Sequence, residues 1–290
     1  MNVGLIGVGL MGHGIARNVL ARGGHALTFL DHPGNQPTEE IVALGGIAVG
    51  EPAEIAESCD VILLCVTGAP QVAAVMEGLL PALRPGTVIV DCSTSLPETT
   101  LTMGARTAEA GGAYLDAPMT RTAAHAHAGT LNLLVGGEAE TLERVRPVLE
   151  SFTESVAHVG PLGHGHRLKL LHNYVSVGFM TLLAEAAAQS ADAGVDPAVL
   201  VEVLANGGGA SAALDRLSPY ILNGDRSALP FAIANAGKDI DYYREMAGAA
   251  GAQRTVADGV SAAIRSVSDG ETGQAYVPEM VRLFRRTAEA

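Results

Sequence analysis

Tryptophan is absent from this 290-residue chain, and aromatic side chains make up only 4% of it. That shortage argues against the aromatic-centred core of a β-sandwich. Alanine is abundant and 35 residues are glycine, a mix that suits close helix packing and glycine-shaped loops. Because 48% of the residues are hydrophobic, sizeable cores are possible, and the length favours two domains over one.

Basic residues are also scarce, since 18 lysines and arginines stand against 31 acidic residues, for a net charge of −13. Such a surface repels nucleic-acid phosphates and anionic lipid heads, so we expect neither nucleic acid nor a membrane as partner. No uncharged apolar run reaches about 18 residues. Residues 1–4 lead straight into a strand without a basic leader segment. We therefore expect a cytoplasmic protein.

Metal-site signals are weak. The three cysteines, Cys59, Cys65 and Cys92, do not have the spacing of metal ligands, and we interpret them as small, reduced side chains. Two short histidine motifs, at residues 125–127 and 164–166, have no acidic or thiol partner close by in sequence. We therefore expect no catalytic metal.

The first half alternates short apolar runs with helical patterns. The apolar runs predict strands over residues 3–8, 26–30, 61–66, 87–90, 114–117 and 131–135. Helical periodicity covers residues 11–21, 39–44, 52–57, 70–80 and 97–110. Strands that are apolar on both faces and alternate with helices predict an α/β domain with a doubly wound, mostly parallel sheet.

The second half is predicted to be helical. A long pattern without proline covers residues 165–193, Gly194 can end it, and Asp196-Pro197 can begin the next helix. Further helical patterns lie at residues 197–204, 211–221, 236–249, 256–268 and 277–288, and there is no clear strand after about Val159. We predict an α/β domain over residues 1–162 and an all-α domain over residues 163–290, joined by a long interdomain helix.

A glycine motif, Gly7-Val8-Gly9-Leu10-Met11-Gly12, follows the first predicted strand and opens a helix. In this context the glycines allow a tight turn and close backbone approach to a pyrophosphate, and the helix N-terminus attracts phosphate. Asp31 ends the second predicted strand. A carboxylate there accepts hydrogen bonds from the ribose hydroxyls of a dinucleotide and repels a 2′-phosphate. No arginine follows in residues 32–35, so the motif favours NAD over NADP.

Lysine occurs only at Lys169 and Lys238, against sixteen arginines. Arginine cannot donate a proton near neutral pH, whereas a lysine can once its surroundings lower its pKa. Lys169 and Asn173 are four residues apart on the long helix and share a face. An ammonium beside an amide can hold and protonate a carbonyl oxygen, although a surface lysine is the alternative. Lys238 could pair with Asp241 or another nearby acid.

Together these motifs resemble the β-hydroxyacid dehydrogenase family, which includes 3-hydroxyisobutyrate dehydrogenase and tartronate semialdehyde reductase. The resemblance covers nearly the whole chain. It rests on five segments in the family's order: the glycine motif, Asp91-Cys92-Ser93-Thr94, Asp116-Ala117-Pro118 with Gly129-Thr130-Leu131, Gly163-His164-Gly165 with Lys169 and Asn173, and Phe231 with Lys238-Asp239. It implies a Rossmann domain, a helical domain and a cleft between them.

The resemblance also implies roles for individual residues. Lys169 would be the catalytic acid and base, and Asn173 would act beside it to orient the substrate. The NAD cofactor would be bound by Gly7, Gly9, Leu10, Met11, Gly12, Asp31, Cys65, Val66, Thr94 and Lys238. The substrate's acid group would be bound by residues 120–124, which are Thr120, Arg121, Thr122, Ala123 and Ala124, with His172 next to Asn173. A homodimer or homotetramer is implied as well.

Two departures from the family pattern bear on the substrate. Most relatives have Ser-Gly-Gly where this chain has Thr120-Arg121-Thr122, and an arginine here is similar to the sulfolactaldehyde reductase branch, where it binds a sulfonate. Arginine offers a forked, permanent cation to an anion. His172 stands where relatives usually have Asn. A carboxylate substrate of the 3-hydroxyisobutyrate, tartronate semialdehyde or 4-hydroxybutyrate type is the alternative, with Arg121 in a surface ion pair.

Two other functions are compatible with the same fold. An imine reductase would usually lack a lysine at position 169 and often prefer NADPH, so Lys169 and Asp31 count against it. A catalytically silent NAD-binding regulatory or scaffold protein would bind NADH without oxidising it. Intact Lys169, Asn173 and Thr94 count against that interpretation.

Overall fold

The computed structural model describes residues 1–268 and 270–285. They divide into two compact units, one over Met1–Lys169 and one that begins at Leu170. The first unit contains a mixed sheet with helices, and the second is helical. The boundary that we predict between residues 162 and 163 stays a prediction.

One nine-stranded sheet organises the first unit. Its strands are β1 (Asn2–Ile6), β2 (Ala26–Leu30), β3 (Ile47–Val49), β4 (Val61–Leu64), β5 (Val88–Asp91), β6 (Ala113–Asp116), β7 (Met119–Thr120), β8 (Leu131–Gly136) and β9 (Thr153–Gly160). The order is β3-β2-β1-β4-β5-β6-β8-β7, and β9 pairs with β8. Only the β6–β8 and β7–β8 pairs are antiparallel among the described strands. The predicted doubly wound, mostly parallel sheet is confirmed.

Three strands were not predicted, and their burial explains why. β3 is short and largely exposed, β7 has two half-buried residues, and β9 has only exposed or half-buried residues after its first one. None of them forms the apolar run that marks a central strand. Pairing along the sheet, rather than local sequence, determines these strands.

The central strands are buried on both faces. Every residue of β4 and β5 is buried. On β4, Leu63 belongs to one apolar cluster, whereas Ile62 and Leu64 belong to another. Because successive side chains of a strand point to opposite faces, helices have to cover both sides of the sheet.

The helices of the first unit connect the strands. They are α1 (Leu10–Ala21), α2 (Glu39–Ala43), α3 (Pro52–Ser58), α4 (Ala69–Leu79), α5 (Pro97–Glu109), α6 (Ala123–Ala128) and α7 (Ala139–Glu150), with a 3-10 turn at Leu80–Ala82. The six-residue α6 has no apolar periodicity and was not predicted. It is held by α1, where the Asn18 Nδ2 atom donates to the carbonyls of Ala126 and His127 at 2.9 and 3.1 Å.

The long helix α8 (His164–Asp192) has 29 residues, which corresponds to about 44 Å. As predicted, it ends before Gly194, whose φ is +73°. Asp196 then caps the next helix by accepting from the backbone N–H of Ala198 at 2.8 Å. These capping contacts fix the end of α8 and the start of its successor.

The second unit continues with α9 (Pro197–Ala205), α10 (Ala212–Asn223), α11 (Ile233–Ala249), α12 (Thr255–Arg265) and α13 (Met280–Leu283). Three 3-10 turns accompany them, at Arg226–Ala228, Gly270–Gln274 and Val277–Glu279. The helix predicted over residues 277–288 is partly wrong, because a 3-10 turn precedes a short α13; residues 286–288 lie outside the described part. Within that part, no helix is both long and apolar enough to cross a lipid bilayer.

The contact between α1 and α6 has a direct test at Gly14. A Cβ atom there would lie 2.5 Å from the carbonyl carbon of Ala126. Gly14→Ala should therefore lower the free energy of unfolding by about 2 kcal/mol, measured as a lower urea midpoint. Gly259→Ala is the matched control in an exposed helix, where a Cβ meets nothing within 4 Å. That control should be neutral or stabilising, by at most about 1 kcal/mol. Equal effects at both positions would contradict the tight contact.

Candidate active site

The glycine motif forms an open cradle between β1 and α1. Gly7 has a φ of +100°, and a Cβ on it would lie 2.2 Å from the carbonyl oxygen of Cys65. A Cβ on Gly12 would lie 1.9 Å from the carbonyl oxygen of Gly7, so helix and turn are in direct contact. At Gly9 a Cβ would meet nothing within 4 Å. The cradle is therefore closely packed at Gly7 and Gly12 and open at Gly9, where a ligand could contact the protein backbone.

Helix α1 begins at this opening. Gly9 is its N-cap, and among the described residues no side chain caps it. The first N–H groups of a helix lack partners within the helix and carry a partial positive charge. An uncapped glycine N-terminus beside an open cradle fits a dinucleotide pyrophosphate.

Asp31 follows β2 at the same edge of the sheet. Its backbone N–H donates to the carbonyl of Val49 at 2.8 Å, and its side chain is exposed. Asn35, which we did not predict, fastens the loop after β2 to the glycine motif. Its Nδ2 atom donates to the Leu30 carbonyl at 2.9 Å, and its Oδ1 atom accepts from the Val8 N–H at 3.2 Å.

The ends of β4 and β5 bring further predicted residues to this edge. Cys65 follows β4, and its N–H donates to the Ile6 carbonyl at 2.9 Å. Burial raises the pKa of Cys65 to about 12, so its thiol is neutral. The Val66 N–H donates to Ser93 Oγ at 3.0 Å, which joins the two strand ends just before Thr94. Ser93 was in the quoted motif, but we did not predict it as a site residue.

Asp116, at the end of β6, fixes the start of α8. Its Oδ1 and Oδ2 atoms accept from the backbone N–H groups of Gly163 and His166, at 2.8 and 2.7 Å. A Cβ on Gly165 would lie 2.4 Å from the carbonyl oxygen of Leu134, so only glycine allows this approach. The first turn of α8 is thereby seated on the carboxyl edge of the sheet.

Lys169 lies one turn further along α8 and is half-buried. Its Nζ atom donates to the carbonyl of Met119 at 2.6 Å. Met119 immediately precedes Thr120, the first residue of the predicted substrate-binding segment. The ammonium group is therefore located beside the segment that we predict to bind the substrate.

That segment carries an unusual backbone. Arg121 is the one non-glycine residue with positive φ in the described part of the chain, at +79°. Its Nη1 atom donates to the Thr130 carbonyl at 2.6 Å and forms an ion pair with Glu154. Thr122 contacts His125 Nδ1 through its hydroxyl at 2.9 Å. Thr120 and Ala123 are half-buried, and Ala124 is exposed.

In the second unit, Asp239 contacts two of the predicted site residues, Asn173 and Lys238, and Asn173 in turn contacts His172. The Asn173 Nδ2 atom donates to Asp239 Oδ2 at 2.6 Å, and the Asn173 Oδ1 atom lies 3.0 Å from His172 Nδ1. Lys238 forms an ion pair with Asp239 Oδ1 at 3.0 Å. Asp241 instead pairs with Arg244 and Arg265. We did not predict Asp239 as a site residue, although an acid next to one of two lysines was the available signal.

The structure thus forms two groups of predicted residues. In the first unit, the glycine cradle, the strand-end residues, the 120–124 segment and Lys169 share the carboxyl edge of the sheet. In the second unit, Asp239 contacts Asn173 and Lys238 directly, and His172 is connected to it through Asn173. Over the described residues, no cluster of three or more His, Cys, Asp or Glu side chains is arranged for a metal.

Comparison with known proteins agrees with this geometry. Residues 2–160 match the family model for the NAD binding domain of 6-phosphogluconate dehydrogenase. Residues 163–284 match the model described as NAD-binding of NADP-dependent 3-hydroxyisobutyrate dehydrogenase. Fold and cradle together define a nicotinamide-dinucleotide-dependent oxidoreductase.

Relatives define the family more closely. An NAD-dependent L-serine dehydrogenase from Pseudomonas aeruginosa is 32% identical over 83% of this chain and 78% of that protein. A 3-sulfolactaldehyde reductase from Escherichia coli is 33% identical over 64% of this chain and 62% of its own length. The structure of Mycobacterium tuberculosis 3-hydroxyisobutyrate dehydrogenase with L-serine shares the fold, with a TM-score of 0.87 and 24% identity over 98% of this chain and 99% of that one.

This chain belongs to the β-hydroxyacid dehydrogenase family of oxidoreductases, which use a nicotinamide dinucleotide and act on CH–OH groups. Its cofactor is a nicotinamide dinucleotide. The relatives' names differ at nearly the same identity, so identity alone does not select a substrate.

Proposed function

We propose that this protein is an NAD-dependent 3-hydroxyacid dehydrogenase or semialdehyde reductase in which Lys169 is the catalytic acid and base. The observation that carries the proposal is the Lys169 ammonium, half-buried and 2.6 Å from the carbonyl oxygen of Met119, directly before the 120–124 segment. A lysine in contact with that segment can reach the oxygen of a substrate bound there.

The residues divide the chemistry between them. When bound, the nicotinamide ring accepts or supplies the hydride. In reduction, the Lys169 ammonium donates its proton to the oxygen that was the aldehyde carbonyl. In oxidation, the neutral amine takes the hydroxyl proton. The hydroxyls of Thr120 and Thr122 and the Arg121 guanidinium bind the acid group, and Asn173, with His172 beside it, orients the substrate.

The role of Lys169 has a direct kinetic test. Lys169→Met removes the proton donor and should lower kcat by about 10³-fold, while NADH affinity, followed by NADH fluorescence, stays near that of the unmodified protein. Arg167→Met, an exposed cation on the same turn of α8, is the matched control and should keep its activity. Turnover by Lys169→Met close to that of the unmodified protein would remove Lys169 from the chemistry.

We also propose that NAD is preferred over NADP. The support is the exposed carboxylate of Asp31 at the end of β2, since a fixed negative charge there repels a 2′-phosphate. The loop that follows Asp31 is held to the glycine motif by Asn35, which limits how far the carboxylate can move away.

Neutralising this carboxylate should relax the preference. Asp31→Asn should raise the ratio of kcat/KM with NADPH to kcat/KM with NADH by about tenfold. Glu39→Gln, which removes an exposed charge in α2, is the control and should leave the ratio unchanged. A ratio that does not respond to Asp31→Asn would show that another feature selects the cofactor.

For the substrate, we propose 3-sulfolactaldehyde, reduced to 2,3-dihydroxypropane-1-sulfonate. A sulfonate is permanently ionised and has three acceptor oxygens, which suits the forked guanidinium of an arginine that has a threonine on either side of it in the sequence. The left-handed backbone of Arg121 supports the assignment, because a non-glycine residue costs about 1 kcal/mol there. Retaining arginine at a position suited to glycine indicates a function for its side chain. A carboxylate semialdehyde or 3-hydroxycarboxylate is the second candidate.

Arg121→Gly separates the two substrate classes. It should raise KM for 3-sulfolactaldehyde at least about tenfold, with a smaller change for succinic, methylmalonate or tartronate semialdehyde, in assays of NADH oxidation. Because glycine relieves the positive φ, the variant should be no less stable. Glu154→Gln removes the carboxylate paired with Arg121 and should lower KM for the sulfonate. Preference for a carboxylate in both the unmodified protein and Arg121→Gly would contradict the assignment.

We propose in addition that the protein forms a homodimer or homotetramer. Exposed apolar side chains on α8 and α9 of the second unit support this, since Val175, Leu182, Val199 and Val203 are each at least half exposed.

A further inference from the structure

His166 is completely buried, with 0% of its side chain exposed. It lies in the first turn of α8, three residues before Lys169, in a motif that resembles a metal-site fragment in the sequence alone. A buried imidazole needs partners for both ring nitrogens. The contacts of His166 therefore indicate what it does.

Both ring nitrogens contact segments of the proposed active site. Nε2 lies 3.1 Å from the carbonyl oxygen of Ser93, the residue before Thr94. Nδ1 lies 2.7 Å from the hydroxyl of Thr100 in α5. The backbone N–H of the same residue donates to Asp116 at 2.7 Å. One residue thus joins the ends of β5 and β6, α5 and the start of α8.

The hydrogen-bond partners of the ring restrict where its protons can be. A carbonyl oxygen only accepts, so Nε2 has to donate to Ser93. The Thr100 hydroxyl lies 2.7 Å from Nδ1 and 3.2 Å from the Leu96 carbonyl, so it either donates to Nδ1 or accepts from Nδ1 while donating to Leu96. These contacts accommodate a ring that is protonated on both nitrogens, and the surrounding charges decide between the two arrangements.

The surrounding charges favour the ring that is protonated on both nitrogens. His166 Nδ1 lies 3.7 Å from Asp116 Oδ2, and Nε2 lies 4.0 Å from Asp91 Oδ2, with both aspartates fully buried. Each oxygen of these two groups accepts a hydrogen bond, from Gly163, His166, Ser93 and Tyr114. Burial raises the pKa of Tyr114, so its hydroxyl stays protonated and donates a hydrogen bond to Asp91 Oδ2. Two buried carboxylates need a cation between them.

We propose that His166 is a buried imidazolium and a positioning residue for Lys169, an inference that rests on the proposed role of Lys169. The cation compensates Asp91 and Asp116, and Asp116 in turn holds the N–H groups that seat α8 on the sheet. Lys169 reaches the Met119 carbonyl from that helix, while the ring holds the Ser93 carbonyl beside Thr94. A neutral ring would leave the two buried carboxylates without a counter-charge.

The charge of the ring can be read without any catalytic assay. In protein labelled with ¹⁵N-histidine, both ring nitrogens of His166 should show the shifts of protonated nitrogen near neutral pH. Thr100→Val, which removes the hydroxyl at Nδ1, perturbs this pair of resonances and so assigns it. A ring with one unprotonated nitrogen would overturn the inference, whatever the role of Lys169.

The positioning role is tested by His166→Gln, a neutral side chain that still donates and accepts. Displacement of Lys169 should lower kcat by about 10²-fold, with the NADH dissociation constant within about twofold of the unmodified protein, a split that general unfolding would not produce. His164→Gln, an exposed histidine in the same turn, is the matched control and should keep kcat.

Lys169→Met separates the failure of this inference from failure of the proposed function. If Lys169→Met is inactive while His166→Gln and Thr100→Val keep full kcat, Lys169 is catalytic and His166 does not position it. If Lys169→Met is active, the proposed function fails, and the NMR result still decides the charge of His166. Should His166→Gln not fold, Thr100→Val, expected to lower kcat in the same sense, replaces it.

Discussion

The carboxylate of Asp116 accepts two backbone N–H groups from the first turn of α8, and the proposed chemistry depends on this contact. A helix N-terminus has unpaired donors and a partial positive charge, so a buried carboxylate stabilises it and is stabilised in return. The carboxylate ends a buried strand, and Gly165 removes the Cβ that would hold the helix away. The position of Lys169 against Met119 follows from this seat.

The cofactor cradle uses glycine in a different way. At Gly7 and Gly12 the missing side chain lets backbone segments touch, whereas at Gly9 it leaves open space. Contact on one side and space on the other make a rigid surface that a pyrophosphate can approach closely. Cys65 adds a neutral thiol to the same edge, because burial raises its pKa to about 12 and suppresses the thiolate.

The proposed substrate specificity depends on a short segment with a strained backbone. Arg121 adopts a left-handed backbone, and its guanidinium is held by the Thr130 carbonyl and Glu154. In binding an anionic substrate, Arg121 would exchange its partner Glu154 for the acid group of the substrate. The guanidinium would supply a local positive charge in a protein whose net charge is −13. The family relationship determines the reaction type, and this segment is where relatives with different substrates are expected to differ.

The sequence by itself determined the repeating pattern of strands and helices and the dinucleotide motif with Asp31, and it indicated Lys169 as the candidate proton donor. These signals are local, because buried strands need continuous apolar runs and a phosphate turn needs glycines at fixed spacing. Sequence patterns did not find β3, β7, β9 or α6, since neighbours in the sheet and the contact with α1 stabilise them.

The roles of Asn35, Ser93, Asp239 and the buried charge cluster around His166 were decided only by tertiary structure. Their partners lie far away along the chain: Asp116 meets the start of α8, Asp239 meets Asn173, and Ser93 meets Val66. No local pattern encodes such a pair, because sequence alone predicts that a polar side chain is exposed. Only the fold shows that it is buried among hydrogen-bond donors and acceptors. His166 in particular resembled half of a metal site, and burial between two carboxylates gives it a different physical role.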